Sequence, residues 1–176
     1  MNNNKSANTY IRTLYSPGFS FLMMSFFKTN LTLNFVPYLG KDNVGRSQYS
    51  KTEFLSTTVN YEGAAALYMT AMPILDGNES QVELVLPCSN DATLIFEYKL
   101  DQNNQMSAYL VIDKNNETIP FRFGTHQFRA KENGQMVTKV LQSGLGAFTK
   151  TMEAYLSGIG ADLHLSKLSE EELGAL

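Results

Sequence analysis

Basic and aromatic side chains alternate along several segments of this sequence that have the composition of β-strands. Single-stranded nucleic acid is held by both kinds of side chain, because bases stack on aromatic rings and phosphates bind Lys and Arg. We predict that phosphates are contacted by Lys28, Lys41, Arg46, Lys51, Lys99, Arg122 and Arg129, and that bases stack on Tyr49, Tyr98 and Tyr109. Phe121 and Phe123 alternate with polar residues as in a half-buried sheet, so we expect these two rings in the core.

Motifs for catalysis are missing from the sequence. His126 and His164 have no partner at metal-ligand spacing, and the single cysteine, Cys88, has no histidine near it in the chain. No P-loop, GxGxxG, HExxH or GxSxG motif occurs. We therefore predict a protein that is not an enzyme and that needs no cofactor and no metal.

The charge is distributed unevenly over the 176 residues, whose net charge is −3. Residues 1–60 hold six basic and two acidic side chains, whereas the remainder holds eight basic and fifteen acidic ones. A basic half permits an anionic partner, although ordinary solvated charge explains it equally well. The sequence has no apolar run of 18 residues that would span a bilayer, and 19–27 lacks the flanks of a signal sequence, so we expect a cytoplasmic protein.

Periodicity predicts mostly extended structure. The predicted strands are 19–29, 30–38, 48–59 in two pieces, 82–86, 93–100, 106–112 and 117–123, with 125–130 also extended. A first helix is predicted at 61–72, capped by Asn60 and ended or kinked by Pro73.

A second, longer helix is predicted at 136–160. Its apolar residues fall at intervals of three and four, which places them on one side of a helix: Val137, Val140, Leu141, Leu145, Phe148, Met152, Leu156 and Ile159. Gly144 and Gly146 would permit close approach of a neighbouring backbone, and Gly158 and Gly160 would end the helix.

The order of elements predicts an α+β fold of two antiparallel β-sheets, each followed by a helix, as a duplicated ββββα plan. The predicted divisions are a flexible N-terminal arm at 1–18, a single domain at 19–160 and an acidic C-terminal tail at 161–176. The tail contains three consecutive glutamates at 170–172.

This plan resembles the Whirly-type single-stranded-DNA-binding fold over about 19–159. Residues 50–75, SKTEFLSTTVNYEGAAALYMTAMPIL, are similar to that family's basic strand, polar turn and short helix beginning with Glu. Residues 92–123 are similar to its later hairpins. The resemblance extends to phage-encoded single-stranded-DNA-binding proteins and to the plant Whirly regulators.

Membership would imply a protein that coats single-stranded DNA in replication or recombination with little sequence preference. It would also imply a homo-oligomer, with a tetramer favoured. Separately, the end of the acidic tail, 169–176, is similar to the acidic segment by which many replication-type single-stranded-DNA-binding proteins recruit replication proteins. Two alternatives remain open at this point. One is a structural or protein-interaction module that binds no nucleic acid, and the other is an RNA-binding protein or transcription regulator on the same fold.

Overall fold

Antiparallel β-sheets and two helices form an α+β fold in the computed structural model of this protein, which describes residues 9–16, 18–27, 30–77 and 80–167. The elements in chain order are β1 (Thr9–Leu14), β2 (Phe21–Phe27), β3 (Asn30–Val36), β4 (Tyr38–Lys41), β5 (Ser47–Tyr49), β6 (Leu55–Val59), α1 (Tyr61–Leu75), β7 (Val82–Pro87), β8 (Ala92–Leu100), β9 (Met106–Lys114), β10 (Glu117–Arg122), β11 (His126–Glu132), β12 (Gln135–Leu141) and α2 (Ser143–Lys167). No helix in these described stretches is long and apolar enough to cross a membrane.

The first sheet has the strand order β1-β2-β3-β6. The predicted strands at 19–29 and 30–38 are confirmed as β2 and β3, and the extended piece at 48–59 is broken into β5 and β6 as predicted. Between β3 and β6 the chain makes a separate hairpin, β4–β5. The edge strand β1 lies within the predicted N-terminal arm at 1–18, where it pairs with β2 and buries Leu14 in the core.

The second sheet has the order β10-β9-β8-β7, and each of its four strands lies where a strand was predicted. Its strands are joined by tight turns rich in asparagine. Asn115 and Asn116 connect β9 to β10 with φ of 55° and 62°, the left-handed values that a type I′ hairpin turn requires and that asparagine tolerates.

The first helix begins as predicted. The backbone N–H of Gly63 donates to Oδ1 of Asn60 over 2.9 Å, which satisfies one of the free donors at the helix start. The helix continues through Pro73 to Leu75, three residues beyond the predicted end. A proline this close to the C-terminus removes only one hydrogen bond of the helix, so the last turn can still form.

The predicted helix at 136–160 is wrong at both ends. Residues 135–141 form β12, which pairs with β11, and α2 runs from Ser143 through Gly158 and Gly160 to Lys167. The turn between β11 and β12 is Asn133-Gly134, with φ of 48° and 84°, a strong hairpin signal that precedes β-branched residues. The helix also takes up the first part of the predicted tail, whereas 168–176 lies outside the described residues, as does 1–8.

The second helix ties both sheets to one core. Its Phe148 ring lies 5.1 Å from Phe123, beside the second sheet, and the Tyr155 hydroxyl hydrogen-bonds the backbone of Leu31 in the first sheet. Burial raises the pKa of the Tyr155 hydroxyl, as expected for a phenol in an apolar interior. Phe121 and Phe123 are fully buried, which confirms their predicted place in the core.

A contact between two glycines closes the base of the β11–β12 hairpin, which we call the β-arm (residues 126–141). The N–H of Gly144 donates to the carbonyl of Gly124 over 2.7 Å, so the chain entering the arm touches the chain leaving it. A Cβ at Gly144 would lie 2.5 Å from the Gly124 nitrogen, closer than any real contact allows. The predicted close approach is therefore confirmed at Gly144, whereas a Cβ at Gly146 would meet only Leu75, at 4.0 Å.

We expect Gly144→Ala to destabilise the protein. The added methyl group must push apart two backbones, which costs roughly 1–3 kcal/mol and outweighs the gain of up to about 1 kcal/mol in helix propensity. The measurement is urea unfolding followed by circular dichroism. Gly158→Ala is the matched control, since its Cβ meets nothing within 4 Å and should be neutral or stabilising. A Gly144→Ala protein as stable as wild type would contradict the close contact.

Candidate functional site

Four aromatic rings gather at the base of the β4–β5 hairpin, in what we call the hairpin ring cluster: Tyr15, Phe21, Tyr38 and Tyr49. The Tyr49 ring lies at the centre, with centroids 4.9 Å from Phe21, 5.8 Å from Tyr38 and 6.1 Å from Tyr15. Strand register explains the contact between Tyr38 and Tyr49, since these two residues are paired across the hairpin. Tyr15 is 64% exposed, so a flat ligand can reach its ring from solvent.

Three cations accompany the hairpin ring cluster. Lys41 and Arg46 lie at the far end of the β4–β5 hairpin and Lys51 follows β5, and all three side chains are exposed. The carboxylate of Asp42 accepts backbone N–H groups of Val44 and Arg46 over 2.9 and 2.8 Å, and thus shapes the turn. Among the described residues no ion pair involves these three cations, so their charge is available to an anionic ligand.

A second group of rings and cations lies on the outer side of the second sheet, the side turned away from the core; we call it the sheet ring cluster. Its centre is Tyr109 on β9, whose ring centroid lies 6.2 Å from that of Phe19. The Nζ atom of Lys99 lies 5.7 Å from the Tyr109 centroid and the guanidinium carbon of Arg122 lies 6.0 Å from it. These residues line a groove of about 490 Å³.

Both cations of the sheet ring cluster already have carboxylate partners. Nη2 of Arg122 donates to Oδ2 of Asp101 over 2.6 Å and to Oγ of Ser107 over 2.8 Å, and Asp101 is only 5% exposed. Nζ of Lys99 lies 2.7 Å from a carboxylate oxygen of Glu97. A phosphate would have to compete with these carboxylates, which distinguishes this cluster from the first one.

Asp101 holds this arrangement together through several hydrogen bonds. The pKa of its carboxyl group is lowered, mainly by the backbone N–H of Gln105, with smaller contributions from Asn103, Ser107 and Arg122. Its burial acts in the opposite direction and is outweighed. The carboxylate therefore stays charged and fixes the guanidinium of Arg122 beside the Tyr109 ring.

The segment that leads into β2 connects the two clusters. Phe19 belongs to the sheet ring cluster and Phe21 to the hairpin ring cluster, so only Ser20 separates them along the chain. Ser20 is buried, and its hydroxyl donates to the carbonyl of Pro120 over 2.6 Å, which joins β10 to the first sheet. The rings thus lie at the junction of the two sheets.

The predicted site residues are only partly brought together. Tyr49 belongs to the hairpin ring cluster, and Lys41, Arg46 and Lys51 lie on or just after the same hairpin. Lys99, Tyr109 and Arg122 belong to the sheet ring cluster. Arg129 lies apart, exposed on the β-arm. Lys28 lies outside the described residues.

The prediction for Tyr98 is wrong. Its side chain is 4% exposed and packs in the core with Leu94 and Phe96, so it cannot stack on a base. The period of two along β8 already places Tyr98 on the same side as these two apolar residues. Conversely, sequence reasoning missed Tyr15, Phe19, Phe21 and Tyr38 as ring-cluster residues.

Groups suited to other chemistry are not assembled in the described part of the chain. No cluster of three or more His, Cys, Asp or Glu residues there could hold a metal ion. Burial raises the pKa of the Cys88 thiol, which disfavours the reactive thiolate.

Comparison with known proteins adds no family to these observations. No protein-family model matches the chain, and a search of curated proteins returned no match. The two ring clusters and their neighbouring cations are the features that bear on function.

We expect Asp101→Asn to lower stability at neutral pH and to loosen Arg122. A group with a lowered folded-state pKa stabilises the fold above its unfolded value, here 3.8, and loses that contribution as pH falls through its folded value. The difference in unfolding midpoint between wild type and variant should therefore shrink on acidification below pH 3.8. Asp113→Asn, at an exposed carboxylate on the same sheet, is the control. A difference that stays constant down to low pH would contradict this role.

Proposed function

We propose that this protein is a non-catalytic single-stranded-DNA-binding protein that coats strands in replication or recombination with little sequence preference. The observation that carries the proposal is the hairpin ring cluster, whose Tyr15 is exposed, on a hairpin that also carries Lys41 and Arg46 and is followed by Lys51. These three cations have no ion-pair partner among the described residues. Aromatic rings and unpaired cations carried by one hairpin are suited to base stacking and phosphate neutralisation.

The arrangement of elements supports a Whirly-like fold. Four strands of the first sheet precede α1, and four strands of the second sheet precede α2, which agrees with a duplicated ββββα plan. Two insertions depart from the plain plan, namely the β4–β5 hairpin and the β-arm. The helices contact each other, and both contribute to the shared core, so the outer sides of the sheets are available for ligand.

In the proposed binding mode, bases stack on Tyr15 and its neighbouring rings while Lys41, Arg46 and Lys51 neutralise phosphates. Each stacked base would contribute about 1–3 kcal/mol. The strand then continues past Ser20 to Phe19 and Tyr109. This second cluster contributes mainly stacking, because displacing Arg122 from Asp101 would leave a buried carboxylate without its cationic partner.

Little sequence preference follows from the same chemistry. Every base has a face that can stack on an aromatic ring, and Lys and Arg contact phosphates regardless of sequence.

We extend the proposal to a homo-oligomer, with a tetramer favoured, and to recruitment of replication proteins by the acidic tail at 161–176. RNA remains an alternative ligand, and the ratio of affinities for matched DNA and RNA oligomers distinguishes the two.

A structural or protein-interaction module is the second candidate. It is favoured by the carboxylate partners of Lys99 and Arg122 and by exposed apolar residues such as Phe128 and Met136. Such a module would form a stable oligomer indifferent to nucleic acid. The ratio of absorbance at 260 and 280 nm during purification separates the candidates, since a nucleic-acid-binding protein retains nucleic acid at low salt.

We expect Tyr15→Ala to weaken binding to oligo-dT by about tenfold, corresponding to the loss of one stacked base. Because Tyr15 is mostly exposed, the fold should tolerate the change. The measurement is fluorescence anisotropy at low salt. Tyr61→Ala, which removes another exposed tyrosine at the start of α1, should bind as wild type does. Equal affinities for wild type and Tyr15→Ala would exclude Tyr15 as a stacking residue, and no binding by wild type would refute the function.

We expect the triple variant Lys41→Gln, Arg46→Gln, Lys51→Gln to bind with a weaker dependence on salt. Each phosphate contact to a single strand contributes about 0.7 to the slope of log affinity against log salt, so the slope should fall by about 2. Anisotropy titrations over a range of salt concentrations measure it. The control is Lys150→Gln, an exposed cation on α2 paired with Glu153. An unchanged slope in the triple variant would show that these cations do not contact phosphates.

A further inference from the structure

The β-arm adjoins the rest of the molecule near its base, where 138–142 line a cleft with the end of α1 and the start of β9, and it extends outward from there. Its two strands pair with each other along their full length, from His126 opposite Leu141 to Glu132 opposite Gln135. Among residues 126–141 only Ala130 and Val137 are even partly buried, and no other described element packs extensively on either strand. A hairpin of this length, with strands of seven residues, extends about 20 Å.

One side of the β-arm carries unbalanced positive charge. Arg129 and Lys131 are two residues apart on β11, so both side chains point to the same side of the hairpin. Their partners across the hairpin are Thr138 and Met136, neither of them acidic. Both cations are exposed, and no ion pair in the described part of the chain includes either.

The opposite side of the β-arm is electrically balanced. Lys139 forms an ion pair there with Glu132, and Phe128 lies directly across the hairpin from Lys139. The arm as a whole therefore holds three basic and one acidic residue in a protein whose net charge is negative. Its positive charge is concentrated on the side of Arg129 and Lys131.

The base of the β-arm is joined to the turn between β8 and β9. Nε2 of Gln142, just after β12, donates to the carbonyl of Met106 over 3.2 Å. Met106 follows the turn between β8 and β9, and the same turn contains Asp101, the carboxylate that holds Arg122 beside Tyr109. The contact between Gly124 and Gly144 fixes both ends of the arm at this position.

We propose that the β-arm is a second contact for the nucleic-acid strand, with Arg129 and Lys131 binding the phosphodiester backbone as the strand leaves the sheet ring cluster. This inference rests on the proposed function. The arm provides no stacking surface on its basic side, so its contribution is electrostatic and independent of base sequence. It lengthens the binding site beyond the junction of the two sheets.

The distribution of apolar residues favours a polyanion over a second copy of this chain. Four exposed apolar side chains lie on the arm, but Phe128 and Leu141 point to one side, whereas Met136 and Val140 point to the other. Ala130 and Val137 also lie on the side of Phe128, but the ion pair of Lys139 with Glu132 interrupts that side, so it is not the continuous apolar surface that a stable protein interface buries at its centre. The two neighbouring cations, by contrast, lie together on one side.

The test compares Arg129→Gln, Lys131→Gln with the matched control Lys139→Gln, which removes a cation from the balanced side of the same arm. Full-length proteins are titrated with oligo-dT of about 8 and about 30 nucleotides, lengths chosen to bracket a short and an extended site. Circular dichroism verifies folding. We expect the double variant to bind the long oligomer about tenfold more weakly, with a salt slope lower by about 1.4. The short oligomer should show a smaller loss, and Lys139→Gln should resemble wild type.

The outcomes separate this inference from the proposed function. If the double variant binds both oligomers as wild type does while Tyr15→Ala binds weakly, the arm is not a contact and the proposed function stands. Equal losses in the double variant and Lys139→Gln would overturn the assignment to one side of the arm. If wild type binds neither oligomer, both proposals fail. A further variant, Phe128→Ser, tests self-association by sedimentation equilibrium. If this variant dissociates an oligomer while the double variant binds DNA as wild type does, the β-arm is a self-association surface instead.

Discussion

The burial of one side of α2 is the constraint on which the rest of the structure depends. Phe148 packs on Phe123 beside the second sheet, and Tyr155 reaches the backbone of Leu31 in the first sheet, so a single helix fixes the position of both sheets. Arg12 reinforces this from the edge strand, since its Nη1 donates to the carbonyl of Ala147 over 3.2 Å. Without α2 each sheet would expose an apolar side to water.

This packing also determines where a ligand can bind. Because both helices contribute to the shared core, the opposite sides of the sheets carry the polar and aromatic residues that alternate with core residues along each strand. The sheets meet where Ser20 bonds to Pro120, and the ring-bearing residues of both clusters adjoin that point. The junction that stabilises the fold therefore also lies beside the rings of both clusters.

Most strands could be predicted from the sequence, because alternation and asparagine-rich turns act locally. The first strand of the β-arm was predicted as the extended piece at 125–130, but β12 was not, since Val137, Val140 and Leu141 have spacings compatible with a helix as well as a strand, and only the Asn133-Gly134 turn decides between them. The ion pair of Arg122 with Asp101 could not be predicted from the sequence either, because it depends on the shape of the β8–β9 turn and on the pairing of β10 with β9.

The position of the β4–β5 hairpin has a consequence for changes in its length. It is an excursion between β3 and β6, which are themselves direct neighbours in the first sheet, so its length is not dictated by the sheet. Closing a loop costs only about 0.6 kcal/mol more for each doubling of its length. Insertions or deletions near its solvent-exposed tip at Val44 would thus change the reach of Lys41 and Arg46 while leaving the core intact. A change in the length of this loop therefore costs little stability.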